Sequence, residues 1–264
     1  MKTDLTQTEI ESYREDGFLI INDLLTSQEL EQWRSAVEEA SSAQTPLPFN
    51  NEYYQNIFTQ RIKLWQISDA VRNLVLDPRL GKMAAELEGL ESVRLCHDQS
   101  LFKRPWANAT TWHVDNPFWQ FHSHHATSMW LALDDVTIQN GCMYFLPGTH
   151  KDARFEVVKI TPNMNRLFQN YPHWADIEPV PVVMSAGSCS FHNALLAHAA
   201  GPNMTTTSRR AMVVIFMPDG ATFNGQKNTY PDEVFEKLKV GDVLRDESQN
   251  PLIYASPSRE TKNS

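Results

Sequence analysis

A histidine and an aspartate lie one residue apart near the middle of the chain, at His113 and Asp115 in the segment TTWHVDNPFW (110–119). In a β-strand, residues i and i+2 point to the same face, so this imidazole and carboxylate would converge on one point. One histidine and one carboxylate would supply two of the three ligands of a facial two-histidine-one-carboxylate site for Fe(II). Such a site leaves further coordination positions on the metal open. The pair by itself favours the simpler explanation, a polar strand face.

Two histidines in CSFHNALLAHAAGPN (189–203) could supply the third ligand, His192 or His198, and the residues alone do not choose between them. Arg209 follows His198 by 11 positions (209 − 198) and opens a strand-like run, RRAMVVIFM. A turn at GPN would return Arg209 to the metal, where a guanidinium can bind a carboxylate in a bidentate manner. An open metal site beside such an arginine suits a 2-oxoacid cosubstrate.

The other candidate groups have simpler explanations. Strand alternation points Arg210 away from Arg209, so we expect Arg210 in a surface ion pair. Three histidines fall in the polar segment QFHSHHA, where we expect a solvated loop: His122, His124 and His125. Three more have no evident partner in the sequence: His97, His150 and His173.

Composition excludes several classes of partner and favours a small-molecule substrate. The 264 residues are 41% hydrophobic, which is enough for a sizeable core, and the formal net charge is −9. An acidic chain without a run of Lys or Arg is not expected to bind nucleic acid or an anionic membrane. The composition leaves the oligomeric state open.

The sequence predicts a cytoplasmic protein. Three cysteines without CxxC spacing, Cys96, Cys142 and Cys189, indicate reduced thiols of an intracellular protein. The polar N-terminus has no signal-peptide pattern, and no apolar segment approaches the roughly 20 residues that a membrane span needs.

Helices are predicted within residues 1–90. Capping boxes at Thr6 with Glu9 and at Thr26 with Glu29 begin two of them, and Asp77 precedes Pro78 at the start of another. A short buried strand, GFLIINDLL, lies between the first two helices.

After Gly89 the chain changes to short β-rich runs separated by Gly, Pro and Asn turns. Such runs predict an all-β core over about 91–220, either an antiparallel barrel or a double-sheet jelly roll, with flanking helices. PDEVFEKLKVGDVL (231–244) predicts a C-terminal helical extension. Because no linker divides the chain, we expect a single domain over 1–264.

The sequence resembles a known family, the phytanoyl-CoA dioxygenase family of Fe(II)- and 2-oxoglutarate-dependent oxygenases. The resemblance spans nearly the whole chain through YREDGFLIINDLLTSQEL, DQSLFKRP, WHVDNPFW, WLALDDVTIQNGCMYFLPGTHK and SAGSCSFHNALLAHAAGPNMTTTSRRA. Its most specific features are NGCMYFLPGTH and the spacing between His198 and Arg209. The family fold is a cupin-like double-stranded β-helix, which agrees with the jelly-roll expectation.

The resemblance implies a role for each matching residue. It implies the iron ligands His113, Asp115 and His198, because the family's distal histidine precedes a GPN-type turn. Arg209 matches the residue that binds the distal carboxylate of 2-oxoglutarate. Three further residues match positions near this cosubstrate, the last only loosely: Gln99, Trp130 and Lys63.

At two positions, the residue present affects the expected cosubstrate pocket or the expected type of reaction. Ala200 stands where the family often has Ser, which removes one hydroxyl from the cosubstrate pocket. Related halogenases have Ala or Gly at the position of Asp115, which opens a site for chloride. With Asp115 present, the resemblance implies oxidation by O₂ instead, most simply hydroxylation of a small organic metabolite with release of succinate and CO₂.

The residues after the metal pair could line a substrate pocket. We expect Asn116 and Trp119 to do so, although ordinary packing explains Trp119 equally well and is the better explanation for Phe118. No basic patch suited to the phosphates of coenzyme A is evident, so a small metabolite is the expected substrate.

Two other functions remain compatible with the sequence. One is a cupin-like metalloenzyme that does not use 2-oxoglutarate, in which Arg209 would be dispensable. The other is a catalytically silent binding domain, which would have no need for three ligands and an arginine together.

Overall fold

The N-terminal part of the chain forms the helices that pack on one face of a large sheet. The computed structural model describes residues 1–43 and 56–257. Its first four α-helices are α1 (Gln7–Asp16), α2 (Ser27–Ser42), α3 (Asp69–Val75) and α4 (Pro78–Glu88). Both predicted capping boxes form, and Asp77 caps the helix that begins at Pro78. Local capping therefore sets these helix starts as predicted.

Eleven strands are present in the described residues. They are β1 (Phe18–Ile21), β2 (Thr59–Ile62), β3 (Ser92–Lys103), β4 (Thr110–His113), β5 (Thr127–Ala132), β6 (Met143–Phe145), β7 (Val180–Val182), β8 (Cys189–Asn193), β9 (His198–Ala200), β10 (Arg209–Pro218) and β11 (Leu252–Ala255).

These strands form two antiparallel sheets. The larger has seven strands in the order β1-β8-β5-β10-β3-β11, and β2 also pairs with β3. The smaller has the order β4-β9-β6-β7. The chain is therefore mostly sheet with flanking helices, as predicted.

Side-chain alternation along β10 divides the core into two layers. Met212, Val214 and Phe216 pack in a cluster with the helices, whereas Val213 and Ile215 face a second cluster shared with the smaller sheet. The space between the sheets is therefore lined by the inward face of the larger one.

The same alternation separates two adjacent arginines. Arg209 is buried on the inward face, beside the space between the sheets. Arg210 points towards α2 and pairs with Asp134 at 2.7 Å and Glu38 at 2.9 Å. The expected ion pair of Arg210 is thus present.

The C-terminal part differs from the prediction. Where a helix over 231–244 was expected, only one turn forms, α5 (Asp232–Phe235). Gly241, with φ +96°, then turns the chain, and Val243 pairs with Thr222 in an isolated β-bridge. The sheet also extends beyond the expected 91–220 core, because β1, β2 and β11 join it from either side.

The cysteines agree with the expected reduced state: Cys96, Cys142 and Cys189 are free and buried. None of the helices in the described ranges has the length and apolar character that a membrane span requires.

A buried carboxylate joins α1 and α4 to the larger sheet. Glu88, at the end of α4, accepts a hydrogen bond from the Tyr13 hydroxyl at 2.5 Å and from Asn193 Nδ2 at 3.0 Å. Tyr13 is 2% exposed, so its hydroxyl has no access to water if the carboxylate is removed. Burial and the neighbouring Glu88 raise the pKa of Tyr13 well above its ordinary value.

We expect Glu88→Ala to lower the free energy of unfolding by about 2–4 kcal/mol, because it removes the charged acceptor of two buried hydrogen bonds. Glu86→Ala on the same helix is the matched control. It removes only a surface pair with Lys82, and its expected cost is below about 0.5 kcal/mol. Urea unfolding measures both variants, and equal losses would contradict this role of Glu88.

Candidate metal and cosubstrate site

Two histidines face each other across the smaller sheet. His113 at the end of β4 pairs in register with His198 at the start of β9, and their ring centroids lie 4.2 Å apart. His113 Nδ1 lies 2.8 Å from the Thr111 carbonyl oxygen, and His198 Nδ1 lies 2.9 Å from that of Leu196. A carbonyl can only accept, so Nδ1 carries the proton in both neutral rings and Nε2 has a free lone pair.

A turn that the sequence did not predict brings Asp115 next to the two histidines. The strand ends at His113, and Asp115 has helical backbone angles (φ −82°, ψ −47°) ahead of a short 3₁₀ helix, Asn116–Phe118. The backbone N–H groups of Asp115 and Asn116 both donate to the Ala194 carbonyl, at 3.0 and 2.9 Å. The expectation that two residues of one continuous strand converge was therefore wrong in its geometry, although the two side chains do meet.

The three side chains form a compact cluster. Asp115 Oδ1 lies 3.6 Å from His113 Nε2 and 3.8 Å from His198 Nε2. One ligand atom from each residue falls within 4.8 Å of the others. His113 and His198 are buried, and Asp115 is partly so.

His192, the alternative third ligand, lies next to this cluster but comes from the larger sheet. Its Nε2 is 3.9 Å from Asp115 Oδ2, the oxygen that faces away from the other two rings. Its buried Nδ1 has no partner among the described residues. His192 therefore lies beside the Asp115 carboxylate without a direct hydrogen bond to it.

The electrostatics of the cluster favour neutral imidazoles and an ionised carboxylate. Burial lowers the pKa of His113 to about 4 and lowers that of His198 as well. Burial alone would raise the pKa of Asp115, but His198, His192 and His113 together hold it below its ordinary range. These are the protonation states that a divalent cation requires of its ligands.

The donor set fits an Fe(II)-type metal. Two neutral imidazole nitrogens and one carboxylate, on one side of a cavity, are the donors of the facial triad. The Nδ1–H bonds to backbone carbonyls are the outer contacts that usually hold metal-binding histidines in position.

A cavity of about 460 Å³ lies against this cluster. It is lined by seven residues that the sequence singled out: Gln99, His113, Asp115, Trp119, Trp130, His198 and Arg209. The two sheets thus bring together most of the predicted site.

Arg209 brings a buried cation to the cavity. It is 4% exposed, and its guanidinium lies over the Trp130 ring, 4.9 Å from the centroid. Nη2 donates to the Gly141 carbonyl at 3.2 Å, whereas Nε and Nη1 have no partner in the described part of the chain. Burial lowers its pKa to about 10, so the guanidinium is charged and has two donors free for an anion.

Gln99 lies on β3 beside β10, opposite Val213. Its Oε1 accepts a hydrogen bond from Gln60 Nε2, and its own amide N–H groups form no hydrogen bond within the described ranges. They are available to a molecule in the cavity.

Two predicted site residues do not line the cavity. Lys63 has a left-handed backbone (φ 55°), and its ammonium donates to Gln249 at 2.9 Å. Asn116 is fully buried, and its Oδ1 accepts from the Ser123 N–H at 3.1 Å to hold the turn after Asp115. Both placements depend on turns that spacing does not predict, and neither residue contacts the cavity.

Other lining residues had no signal in the sequence. They come from distant segments that only the fold brings together: His97, Thr110, Lys159, Asn228 and Thr229. His192, the alternative ligand in the sequence, also lines the cavity. The three histidines of QFHSHHA are exposed, as expected.

Gly141 holds Arg209 in place and leaves no room for a side chain. Its φ is +88°, and a Cβ there would lie 2.6 Å from the Gly201 carbonyl oxygen and 2.7 Å from Lys103 Cδ. Lys103 is fully buried and lies beside Arg209 in the register of β3 with β10. The close approach of these chains therefore requires glycine.

A family model described as phytanoyl-CoA dioxygenase (PhyH) matches residues 13–211. A methylphosphonate hydroxylase of Gimesia maris is 25% identical over 82% of this chain and 82% of its own. The peroxisomal phytanoyl-CoA dioxygenase of Homo sapiens is 24% identical over 90% of this chain and 75% of its own.

Solved structures share the fold. SnoK, a non-heme α-ketoglutarate-dependent carbocyclase from nogalamycin biosynthesis, is 26% identical, with a TM-score of 0.81 over 95% of this chain and 97% of its own. The epimerase SnoN, in complex with Fe³⁺, α-ketoglutarate and nogalamycin RO, is 23% identical, with a TM-score of 0.77 over 94% and 98%. This second likeness concerns the fold alone.

We expect Gly141→Ala to lower the free energy of unfolding by about 3 kcal/mol, through backbone strain and the clash with Gly201. Gly220→Ala is the matched control, because Gly220 also has a positive φ (+104°) but nothing lies within 4 Å of its Cβ position. Its expected cost is about 1 kcal/mol of backbone strain. Similar losses in urea unfolding would show that the contacts around Gly141 do not matter.

Proposed function

The chain belongs to the phytanoyl-CoA dioxygenase family. We propose that the protein hydroxylates a small organic metabolite in this cavity, with iron held by His113, Asp115 and His198. The observation behind the proposal is the arrangement of a facial triad and an unpaired buried arginine around one cavity.

The chain is an Fe(II)- and 2-oxoglutarate-dependent dioxygenase, an oxidoreductase, as its family and relatives show. Its cofactors are Fe(II) and the cosubstrates 2-oxoglutarate and O₂. When bound, the iron couples the decarboxylation of 2-oxoglutarate to succinate and CO₂ with oxidation of the substrate by O₂.

The protein's own contribution to iron binding is to orient three ligand atoms. The Thr111 and Leu196 carbonyls direct the free Nε2 lone pairs of His113 and His198 into the cavity. His192 Nε2 lies 3.9 Å from the far oxygen of Asp115, beside the carboxylate. Asp115 also occupies the position that a halide would need, which favours oxygenation over halogenation.

Arg209 is the proposed partner of the distal carboxylate of 2-oxoglutarate. Its Nε and Nη1 are unpaired, and Nη2 has a second N–H that can form a parallel pair of donors to one carboxylate with one of them. Trp130 supports the guanidinium from one side, and the free amide of Gln99 provides a further donor. Lys63 and Asn116 do not line this cavity.

Thr110 can replace the hydroxyl that is missing at Ala200. The two residues are register partners across β4 and β9, and both line the cavity. Partners in an antiparallel pair project to the same face. The Thr110 hydroxyl is therefore placed to contact the cosubstrate in place of the serine common in the family.

For the fold, we propose that the two sheets are the halves of a cupin-like double-stranded β-helix within one oxygenase domain. The antiparallel pairings of both sheets, and the cavity between them, support this assignment. Trp119, which lines the cavity at 5% exposure, is the proposed wall of the substrate region.

We predict that Arg209→Ala weakens binding of 2-oxoglutarate by about 100-fold, because it removes a bidentate, charge-assisted contact in a buried place. Isothermal titration of Zn(II)-loaded protein measures the affinity without turnover. Arg210→Ala is the matched control: the adjacent arginine is paired with Asp134 on the other face, so the affinity is expected to stay within about twofold.

A second ligand tests which end of the cosubstrate Arg209 binds. 2-Oxopentanoate has a methyl group where 2-oxoglutarate has its distal carboxylate. Wild-type protein should strongly prefer 2-oxoglutarate, and Arg209→Ala should lose most of that preference. An unchanged preference in the variant would refute the assignment of Arg209.

A further inference from the structure

A second polar region of the cavity is built around His97. This histidine is 4% exposed and lines the cavity, and its ring lies edge-on to Trp119 at 6.3 Å between centroids. Its Nδ1 is 3.3 Å from Cys96 Sγ. Nε2 makes no hydrogen bond to any residue that the structure describes, so it is the nitrogen available to a bound molecule.

The ring is neutral, since burial lowers the pKa of His97 to about 3. A neutral imidazole is a donor at one nitrogen and an acceptor at the other. The hydrogen bonds behind His97 decide which nitrogen carries the proton.

These hydrogen bonds begin at backbone carbonyls, whose direction is unambiguous. Asn250 Nδ2 donates to the carbonyls of Leu95 and Cys96, at 3.1 and 3.2 Å. Its Oδ1 must then accept from the Tyr230 hydroxyl. With its proton committed to Asn250, the Tyr230 oxygen presents only lone pairs to the neighbouring Gln120 side chain.

This direction continues through Gln120 to the ring. Gln120 Nε2 lies 3.5 Å from Cys96 Sγ, while its Oε1 accepts from Asn228 Nδ2 at 2.7 Å. Burial raises the pKa of Cys96 to about 12, so the thiol keeps its proton. The sulfur accepts from Gln120, and if its S–H is directed at His97 Nδ1 the ring proton lies on Nε2.

Building on the proposed function, we propose that His97 is a substrate-positioning residue whose Nε2–H donates to a neutral oxygen of a largely apolar substrate. Carbonyl, hydroxyl and ether oxygens can all accept this bond. Thr229 lines the same cavity, and its buried hydroxyl also lacks a partner in the described ranges.

The described lining residues offer few cationic partners to an anionic substrate in this region. Among its described lining residues, only Arg209 and Lys159 are cationic. Arg209 is assigned to 2-oxoglutarate, and Lys159 is exposed. The remaining surface includes apolar side chains such as Phe118, Trp119 and Ile215, which suit a hydrocarbon frame with a single acceptor oxygen.

The first test determines the tautomer of His97 in protein loaded with Zn(II) and 2-oxoglutarate. Nitrogen-15 NMR of labelled histidine separates the two ring nitrogens, and His97→Gln identifies the signals. We expect a neutral ring with its proton on Nε2 at pH 7. A proton on Nδ1, or a doubly protonated ring, would overturn the proposal.

The second test compares 2-tetralone with tetralin, two bicyclic molecules that differ only in that 2-tetralone has a carbonyl group where tetralin has a methylene group. Isothermal titration into the same loaded protein should show about tenfold tighter binding of 2-tetralone, the value of one buried hydrogen bond. His97→Phe should bring the ratio close to one, and His97→Gln, which keeps an N–H donor, should restore part of it. His173→Phe, the same substitution at an exposed histidine outside the cavity, should keep the wild-type ratio.

Equal affinities in wild-type protein, including no binding of either probe, would overturn the proposal, and so would a ratio that His97→Phe does not change. The 2-oxoglutarate titration used to load the protein distinguishes a failure of the proposed function from a failure of the role proposed for His97. If wild-type protein fails to bind 2-oxoglutarate, the proposed function fails. If it binds 2-oxoglutarate but does not distinguish the probes, only the role of His97 fails.

Discussion

The pairing of β4 with β9 is the constraint on which the site depends. It sets His113 opposite His198, and each ring is held by an Nδ1–H bond to a backbone carbonyl two residues earlier. Rotating either ring would break a buried hydrogen bond, at a cost of about 1–3 kcal/mol. Asp115 is held in the same way, by backbone bonds to Ala194. The ligand geometry is therefore a property of backbone pairing, and the helices act on it only by stabilising the larger sheet.

Two adjacent arginines illustrate how one strand serves both stability and binding. Arg210 is fully paired with carboxylates on the helix side. Arg209 is buried on the cavity side with two unpaired donors, although burying an unpaired charge is costly. Lys103 lies beside it, and burial together with Arg209 lowers the pKa of Lys103 to about 7. Such a concentration of buried cationic groups is expected where an anion binds, because the ligand supplies the missing partner.

Features governed by local chemistry follow from the sequence, and those that depend on distant contacts do not. The capping boxes at Thr6 and Thr26 predict their helices because the partners are three residues apart. Residue types and spacing indicate His113 and Asp115 but leave the third ligand open between His192 and His198, and the family resemblance selects His198. The turn that brings in Asp115 depends on a carbonyl about 80 residues away, and His97 gains its role through a relay that ends at Asn250. No pattern within a single segment contains such information.

The most direct test of the account is anaerobic titration of the purified protein with Fe(II), followed by 2-oxoglutarate, while the visible spectrum is recorded. Chelation of iron by the 2-oxoacid within the site should give a weak visible charge-transfer band that is absent with Fe(II) alone. The band should saturate at one equivalent of each component. Its absence from well-folded protein at saturating Fe(II) and 2-oxoglutarate would contradict the assignment of this cavity as an iron and 2-oxoglutarate site.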